Sequence, residues 1–329
     1  MKVLITGGAG FLGQRLAREL LARGELKGAN GQRQPITELV LLDVVAAPGP
    51  RDERVRVEVG DIAERSVLER LIDDRTAVIF HLAAIVSGQA EADFDLGMRI
   101  NLDASRPLLD VCRERGHRPR VVFTSSVAVY GGDLPEVVLD ETALNPQSSY
   151  GAQKAVAELL LNDFSRRGFV DGRVLRLPTI SVRPGKPNAA ASSFASGIIR
   201  EPLNGEPAVC PVSGSTRLWL LSPRKAIECL VDGCEIDGAA LGNRRTLNLP
   251  GVTVTVDEMI AALREVAGDA VAARIEWKAD ERVEKIVGSW PAQWDIARAT
   301  RLGLQGDASF RDIVRAFVDD ELGGEIPQH

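Results

Sequence analysis

The chain has 329 residues, 45% hydrophobic and 26% charged, which is enough to bury a full core in one large or two modest domains. Its net charge of −6 gives no electrostatic reason for nucleic acid or an anionic membrane as partner. Met1 runs straight into a strand pattern with no signal-peptide region, and the longest apolar run, around Val78 to Val86, is too short to span a bilayer, so a cytoplasmic chain is expected.

Lys2 to Thr6 reads as a buried strand. It runs into Gly7-Gly8-Ala9-Gly10-Phe11-Leu12-Gly13 and then Leu16, Ala17, Leu20 and Leu21 at helical spacing. Strand, glycines and helix in that order suit a dinucleotide. The glycines give a tight turn and close approach to a pyrophosphate, and the helix N-terminus offers free N–H groups. Glu38 to Asp43 is the second strand, ending in an acid able to accept both ribose hydroxyls of NAD and to repel the 2′-phosphate of NADP. Asp43 follows Gly13 at more than the usual interval of about 20 residues, and Gly24 to Pro35 reads as the surface insertion responsible. Arg54 to Val59 alternates as a third strand before Gly60-Asp61-Ile62, whose acid is placed to meet an adenine. Ala77 to Leu82 is a fourth strand leading to Ala83-Ala84, small enough for a cofactor to lie against the backbone. A long helix over Leu96 to Arg115 and a fifth strand over Arg120 to Thr124 complete a β-α-β-α-β-α-β-α-β order. Near-continuous apolar strands in that order demand a doubly wound parallel sheet with its ligand site beyond the carboxyl ends of the strands.

Ser126 follows the fifth strand, placed to hydrogen-bond a reacting oxygen. Ser149-Tyr150-Gly151-Ala152-Gln153-Lys154 then opens a helix with no Gly or Pro from Ala152 until Gly168. Residues four apart share a helix face, so Tyr150 and Lys154 point together. An ionised tyrosine can take the proton of a substrate hydroxyl while a cofactor takes the hydride. A phenol titrates near 10, so work at neutrality needs a drop of roughly three units, about 4 kcal/mol. A cation at roughly 5 Å and an effective dielectric near 20 supplies about 3 kcal/mol. Lys154 and an oxidised nicotinamide suffice between them.

These residues resemble the extended short-chain dehydrogenase/reductase superfamily in its NAD-dependent epimerase/dehydratase branch. The match runs through Gly7 to Gly13, Asp43, Asp61-Ile62, His81-Leu82-Ala83-Ala84, Asn101, Ser125-Ser126 to Tyr130-Gly131, and Tyr150-Gly151 with Lys154, and a weaker one runs from Asp295 to Gly303. The resemblance implies that Ser126 polarises the substrate, Tyr150 is the acid/base, and Lys154 holds the nicotinamide ribose and lowers the tyrosine pKa. It also implies an NAD site formed by Gly7, Gly10, Phe11, Leu12, Gly13, Asp43, Asp61, Ile62, Leu82, Ala83, Ala84, Asn101, Tyr150, Lys154 and Pro178. A Rossmann-type NAD-binding domain is expected over 1–177, with the chain returning to it at about 216–248. A smaller mixed α/β substrate domain is expected over 178–215 and 249–329. The family's usual dimer would pair the helices Leu96–Arg115 and Ser149–Arg166 in a four-helix bundle, so a homodimer is expected.

Departures from the branch narrow the substrate. Val127 and Ala128 stand where the dehydratases carry an acidic pair, so dehydration is not expected. Leu177-Pro178-Thr179-Ile180 lacks the Asn that nucleotide-sugar enzymes present to the diphosphate, and Arg217-Leu218-Trp219 lacks the acid of their Arg-Asp pair. The segment from Arg183 to Asn188, followed by Ala189 to Phe194, is small, polar and cationic. A short substrate carboxylate would find a bidentate partner in Arg183 or Arg217. The loop resembles that of the D-erythronate dehydrogenases, which oxidise C2 of a four-carbon sugar acid with NAD. Ser87, Gln89, Ser126 and Thr179 are the further substrate contacts expected. A nucleotide-sugar epimerase with tightly held NAD and, more distantly, a non-catalytic NAD-sensing regulator are the rival readings.

The C-terminal part is plainer. Thr255-Val256-Asp257-Glu258 is a capping box opening a helix to Ala267, and Phe310 to Leu322 is another amphipathic helix. Trp277, Trp290 and Trp294 read as core or interface. Four cysteines without CxxC spacing predict reduced core thiols, and His81, His117 and His329 alone predict no metal centre.

Overall fold

The computed structural model describes residues 1–186 and 190–327; Pro187, Asn188 and Ala189 of the cationic loop, and His329, lie outside the described residues. In chain order the strands that frame the site are β1 (Lys2–Thr6), β2 (Glu38–Asp43), β3 (Val55–Val59), β4 (Thr76–His81), β5 (Arg120–Ser126), β6 (Asp171–Leu177), β7 (Thr179–Ile180), β8 (Arg217–Leu221), β9 (Thr246–Asn248) and β10 (Val252–Thr255). Seven of them form one sheet in the order β9-β6-β5-β4-β1-β2-β3, with every ladder parallel. The order reverses between β1 and β4, and a crevice opens at such a switch point, beyond the carboxyl ends of the strands.

Apolar strands buried on both faces need helices on both faces. On one side α1 (Phe11–Arg23) contributes Leu16 and Leu20, and α6 (Pro223–Glu235) contributes Ile227 and Leu230, to a core shared with Val3, Ile5 and Val122. On the other, α2 (Arg65–Leu71), α3 (Ser105–Arg115) and α4 (Ser149–Arg166) pack Leu68, Leu108 and Leu161 against Leu4, Val40 and Ile79. After Leu177 the chain leaves the sheet, and it returns at β9, beside β6. A second core lies in α5 (Ser193–Leu203), β8, β10, α7 (Val256–Ala267) and α8 (Phe310–Glu321), where Ile199, Leu220, Val254, Met259 and Phe317 meet.

Two expected elements differ. No helix joins β2 to β3; these neighbouring strands are connected by the irregular segment 44–54. The helix expected over Leu96–Arg115 is interrupted: one turn at Phe94–Gly97 passes into a π-helical segment, Met98–Asp103, before α3 begins. The wider turn rotates the helix face and brings Asn101 inward to almost complete burial. The segment expected as an insertion is a short hairpin, Glu25–Lys27 against Arg33–Pro35. All four cysteines are free and buried. Among the described residues no helix is long and apolar enough to cross a membrane, and no cluster of His, Cys, Asp and Glu is arranged to hold a metal.

Candidate active site

The glycine turn sits at the carboxyl end of β1, and its glycines meet different demands. Gly7 has φ +73°, and an added Cβ would lie 2.8 Å from the Ala83 nitrogen. A Cβ on Gly13 would lie 2.3 Å from the Gly7 carbonyl. Both are therefore required by the protein's own packing. At Gly10 a Cβ would meet only the Gly7 carbonyl, at 3.3 Å, so the protein itself does not fill the space over that residue. Gly10 is also the N-cap of α1, which has no side-chain cap and no acid in its first turn. An uncapped helix N-terminus beneath an open glycine fits a pyrophosphate, with Phe11, Leu12 and Gly13 forming the first turn. Asp43 closes β2 beside this turn, where its carboxylate accepts from the Ala9 N–H at 3.0 Å. Asp61 accepts from the Ala63 N–H and pairs with Arg99 at 2.6 Å, which holds its carboxyl below the usual range, and Ile62 is buried beside it.

Across the crevice, Leu82, Ala83 and Ala84 continue β4. The Thr6 hydroxyl accepts from the Ala83 N–H at 3.2 Å and meets His81 Nδ1 at 2.8 Å. His81 Nε2 lies 3.2 Å from the Ser105 hydroxyl. Burial and the Lys154 charge lower His81 to about 3, so it stays neutral. Asn101 holds the same loop from behind: its carbonyl accepts from the Ile85 N–H at 2.8 Å, and its amide donates to the Ile85 carbonyl and to Gln153. The amide is fully engaged by protein, so Asn101 fixes the crevice wall to α4 rather than reaching into the crevice. Gln153 is the partner that sequence reasoning missed; its signal was a polar residue one position before Lys154.

Ser126 ends β5 and pairs in register with Leu177, the residue before Pro178. Tyr150 and Lys154 lie in the first two turns of α4, which Ser148 caps by accepting from the Gly151 N–H. A Cβ on Gly151 would lie 2.2 Å from the Ala128 carbonyl, so only glycine lets the helix lie flush on the loop after Ser126. Burial pushes the Tyr150 phenol up to about 12, against the opposing influence of the nearby Ser126 hydroxyl. Lys154 is 1% exposed; its ammonium donates to the Thr124 carbonyl at 2.9 Å and stands 4.6 Å from the centre of the Phe123 ring and 5.7 Å from that of Tyr150. Burial lowers it to about 8, against the opposing charge of Glu158. The site thus places a hydroxyl, a phenol and an ammonium together in a low-dielectric crevice, an arrangement able to remove a proton from an alcohol once further positive charge arrives.

The residues expected to contact substrate are more dispersed. Ser87 opens the short helix Ser87–Ala92 after β4. Thr179 pairs with Leu220 across the β7–β8 ladder. Arg183 follows it, with its N–H bonded to the Ser196 hydroxyl and its carbonyl to Arg200. Burial and the Arg200 charge lower its pKa, and its guanidinium has no ion-pair partner among the described residues. Arg217 begins β8, exposed, three residues from Leu220. It shares a strand face with Trp219, which stacks on Trp294, and Trp294 meets the edge of Tyr130. Trp277 is exposed, which leaves the interface and not the core as its expected place.

The sequence model of the NAD dependent epimerase/dehydratase family matches residues 3–220. A Cupriavidus necator protein named D-erythronate dehydrogenase is 67% identical over 97% of this chain and 98% of its own length. A Haemophilus influenzae protein of the same name is 48% identical over 98% of this chain and all of its own length. Among solved structures, one described as a nucleoside-diphosphate-sugar epimerase from Agrobacterium tumefaciens superposes with a TM-score of 0.94 at 46% identity, over 99% of this chain and 96% of that one.

Proposed function

The chain belongs to the NAD dependent epimerase/dehydratase family, and from that premise we propose that it is an NAD-dependent dehydrogenase oxidising the C2 hydroxyl of a small sugar acid, D-erythronate to 2-dehydro-D-erythronate. The observation that carries the reading is the conjunction of Ser126, Tyr150 and Lys154 in one crevice with near-full-length likeness to two proteins named for that reaction. Tyr150 is the base that takes the hydroxyl proton. Ser126 hydrogen-bonds the same oxygen and orients it, and Lys154 supplies positive charge that favours the phenolate. The nicotinamide, when bound, accepts the hydride from C2. Gly7, Gly10 and the first turn of α1 hold the pyrophosphate, Asp43 takes the ribose hydroxyls and sets the preference for NAD over NADP, and Asp61-Ile62 meet the adenine. Leu82, Ala83, Ala84 and Pro178 shape the nicotinamide end. Arg183 is the favoured partner for the substrate carboxylate, because its half-buried guanidinium has no ion-pair partner among the described residues. A cytoplasmic homodimer is part of the proposal; Val156 and Leu159 on α4, exposed at 48% and 65%, and Phe94 support pairing through that face.

The likeness to the Agrobacterium structure favours a second reading, an epimerase that keeps its cofactor and returns the hydride to the other face. The two differ in whether NADH leaves. Steady NADH absorbance with D-erythronate and NAD is expected. Interconversion of a nucleotide sugar without free NADH would overturn the dehydrogenase reading. Asp43→Ala is expected to weaken NAD binding and shift the ratio of NAD to NADP use towards NADP; an unchanged ratio would remove Asp43 from the site.

A further inference from the structure

One buried guanidinium joins the two elements that carry the reacting groups. Glu158 lies one helical turn beyond Lys154 and two beyond Tyr150, so the three form a stripe on α4. Its carboxylate is gripped by Arg176 near the end of β6: Nε lies 2.9 and 3.1 Å from the two oxygens, and Nη2 lies 2.6 Å from one of them. Both side chains are at least 95% buried. The remaining arm of Arg176, Nη1, donates to the Tyr130 hydroxyl. Tyr130 closes the turn Val127–Val129 that begins at Ser126, and its own hydroxyl faces the Leu139 carbonyl at 3.2 Å and Asn248 Oδ1 at 3.0 Å. The guanidinium plane also lies 4.8 Å over the Tyr130 ring.

We propose that Glu158, Arg176 and Tyr130 are positioning residues: a clamp that fixes the helix bearing Tyr150 and Lys154 against the loop bearing Ser126. The proposal rests on the Ser-Tyr-Lys reading of the site. Neither the glycine turn nor Asp43 touches this clamp, so loosening it acts on the reacting geometry and leaves the pyrophosphate and adenine-ribose contacts in place. A rigid fork is required, because Arg176 must satisfy a carboxylate with two nitrogens while a third meets a hydroxyl in another direction.

The chain has two tyrosines, Tyr130 and Tyr150. Tyr130→Phe removes one hydroxyl of the clamp and leaves Tyr150 as the sole tyrosine, so tyrosinate ultraviolet absorbance then reports Tyr150 directly. The charged and titratable groups around Tyr150 and Lys154 are Glu158 on α4 and His81 on β4. In NAD-saturated protein, drift of Lys154 by about 1 Å is expected to raise the Tyr150 step by about a third of a pH unit relative to the lower-pH step of the parent. With D-erythronate, kcat is expected to fall between about 10- and 100-fold, while the Kd for NAD stays within about twofold. Glu158→Gln should do the same if it folds; Tyr130→Phe carries the test if it does not. A Tyr150 step at the parent's pH would overturn the clamp. An absence of turnover by the parent would overturn the substrate reading alone, because the titration needs no substrate.

Discussion

Replacing Lys154 by methionine, close in length and without charge, isolates its electrostatic part in the reaction. Burial pushes the Tyr150 phenol up to about 12. Ionisation at pH 7 therefore costs about five units, roughly 7 kcal/mol, more than a free phenol would need. The ammonium stands 5.7 Å from the ring centre, which at an effective dielectric near 20 is worth about 3 kcal/mol, or roughly two units. The remainder falls to the cationic nicotinamide, because the value of about 12 already includes the Ser126 hydroxyl. Oxidation needs the deprotonated phenol, so the rate rises with pH through the Tyr150 pKa in the complex, and loss of Lys154 moves that limb up by about two units. At saturating NAD and substrate, Lys154→Met should lose about 100-fold on the acid limb and regain part of it as the pH rises. NADH absorbance across the pH range measures this. A limb that stays in place, or an equal loss at every pH, would refute the reasoning. The same variant should be the more stable protein at pH 7. Burial depresses Lys154 from 10.5 to about 8, so the unfolded chain binds the extra proton between those values, and the folded state carries the full penalty below about pH 8. Removing it gains about 3 kcal/mol at pH 7, fading as the pH rises through 8 towards 10.5.

Gly13→Ala forces a methyl against the Gly7 carbonyl and should cost about 3 kcal/mol of stability, whereas Gly10→Ala should keep its melting temperature and weaken NAD binding at least about tenfold. Equal effects of the two on stability would mean that Gly10 is needed by the fold and not by a ligand. Gly151→Ala must lift α4 off the Ala128 carbonyl and should lower kcat by about 100-fold with little change in NAD affinity, checked by turnover and titration calorimetry. His81 is lowered from 6.5 to about 3 by burial, so the unfolded chain takes up its proton first and stability falls as pH drops below about 6.5, by about 3 kcal/mol at pH 4.5. Urea midpoints at pH 7 and 4.5 should diverge less in His81→Gln than in the parent; identical slopes would place the acid sensitivity elsewhere.

The parts of the fold that could be read in advance are those where local pattern and tertiary demand agree. β1, β2 and α4 lie at Lys2–Thr6, Glu38–Asp43 and Ser149–Arg166, as their apolar runs and the Ser148 cap require. The capping box at Thr255 and Glu258 is formed in full. What escaped was set by contacts distant in sequence. The π segment at Met98–Asp103 answers to Ile85 and Gln153, neither of which is visible from a helical period. At the site, residue types pointed to Tyr150 beside Lys154, but the size of the burial that raises one pKa and lowers the other depends on packing that no motif encodes. Arg176 lies inside a buried strand and belongs to no motif; only the fold brings Glu158 and Tyr130 to it. Trp277 was expected in the core or at an interface, and its exposed place on a short ladder with Cys210 leaves only the second of these.

The late return of the chain to its first sheet has a bearing on how the molecule can be cut. All seven residues of β6 are buried, and β6 pairs with β5 on one side and with β9 on the other. A fragment ending at Leu177 would keep the glycine turn, Tyr150 and Lys154, yet would leave one side of β6 bare. An apolar strand with unpaired N–H and C=O groups is a template for other chains, and such a piece is headed for aggregates or swapped dimers. Three residues, Thr246 to Asn248, stand between the nucleotide-binding half and that fate. They are encoded after Thr179, Arg183 and Arg217, the residues proposed to meet the substrate, so the half that carries Tyr150 and Lys154 cannot be excised, fused or inherited without them.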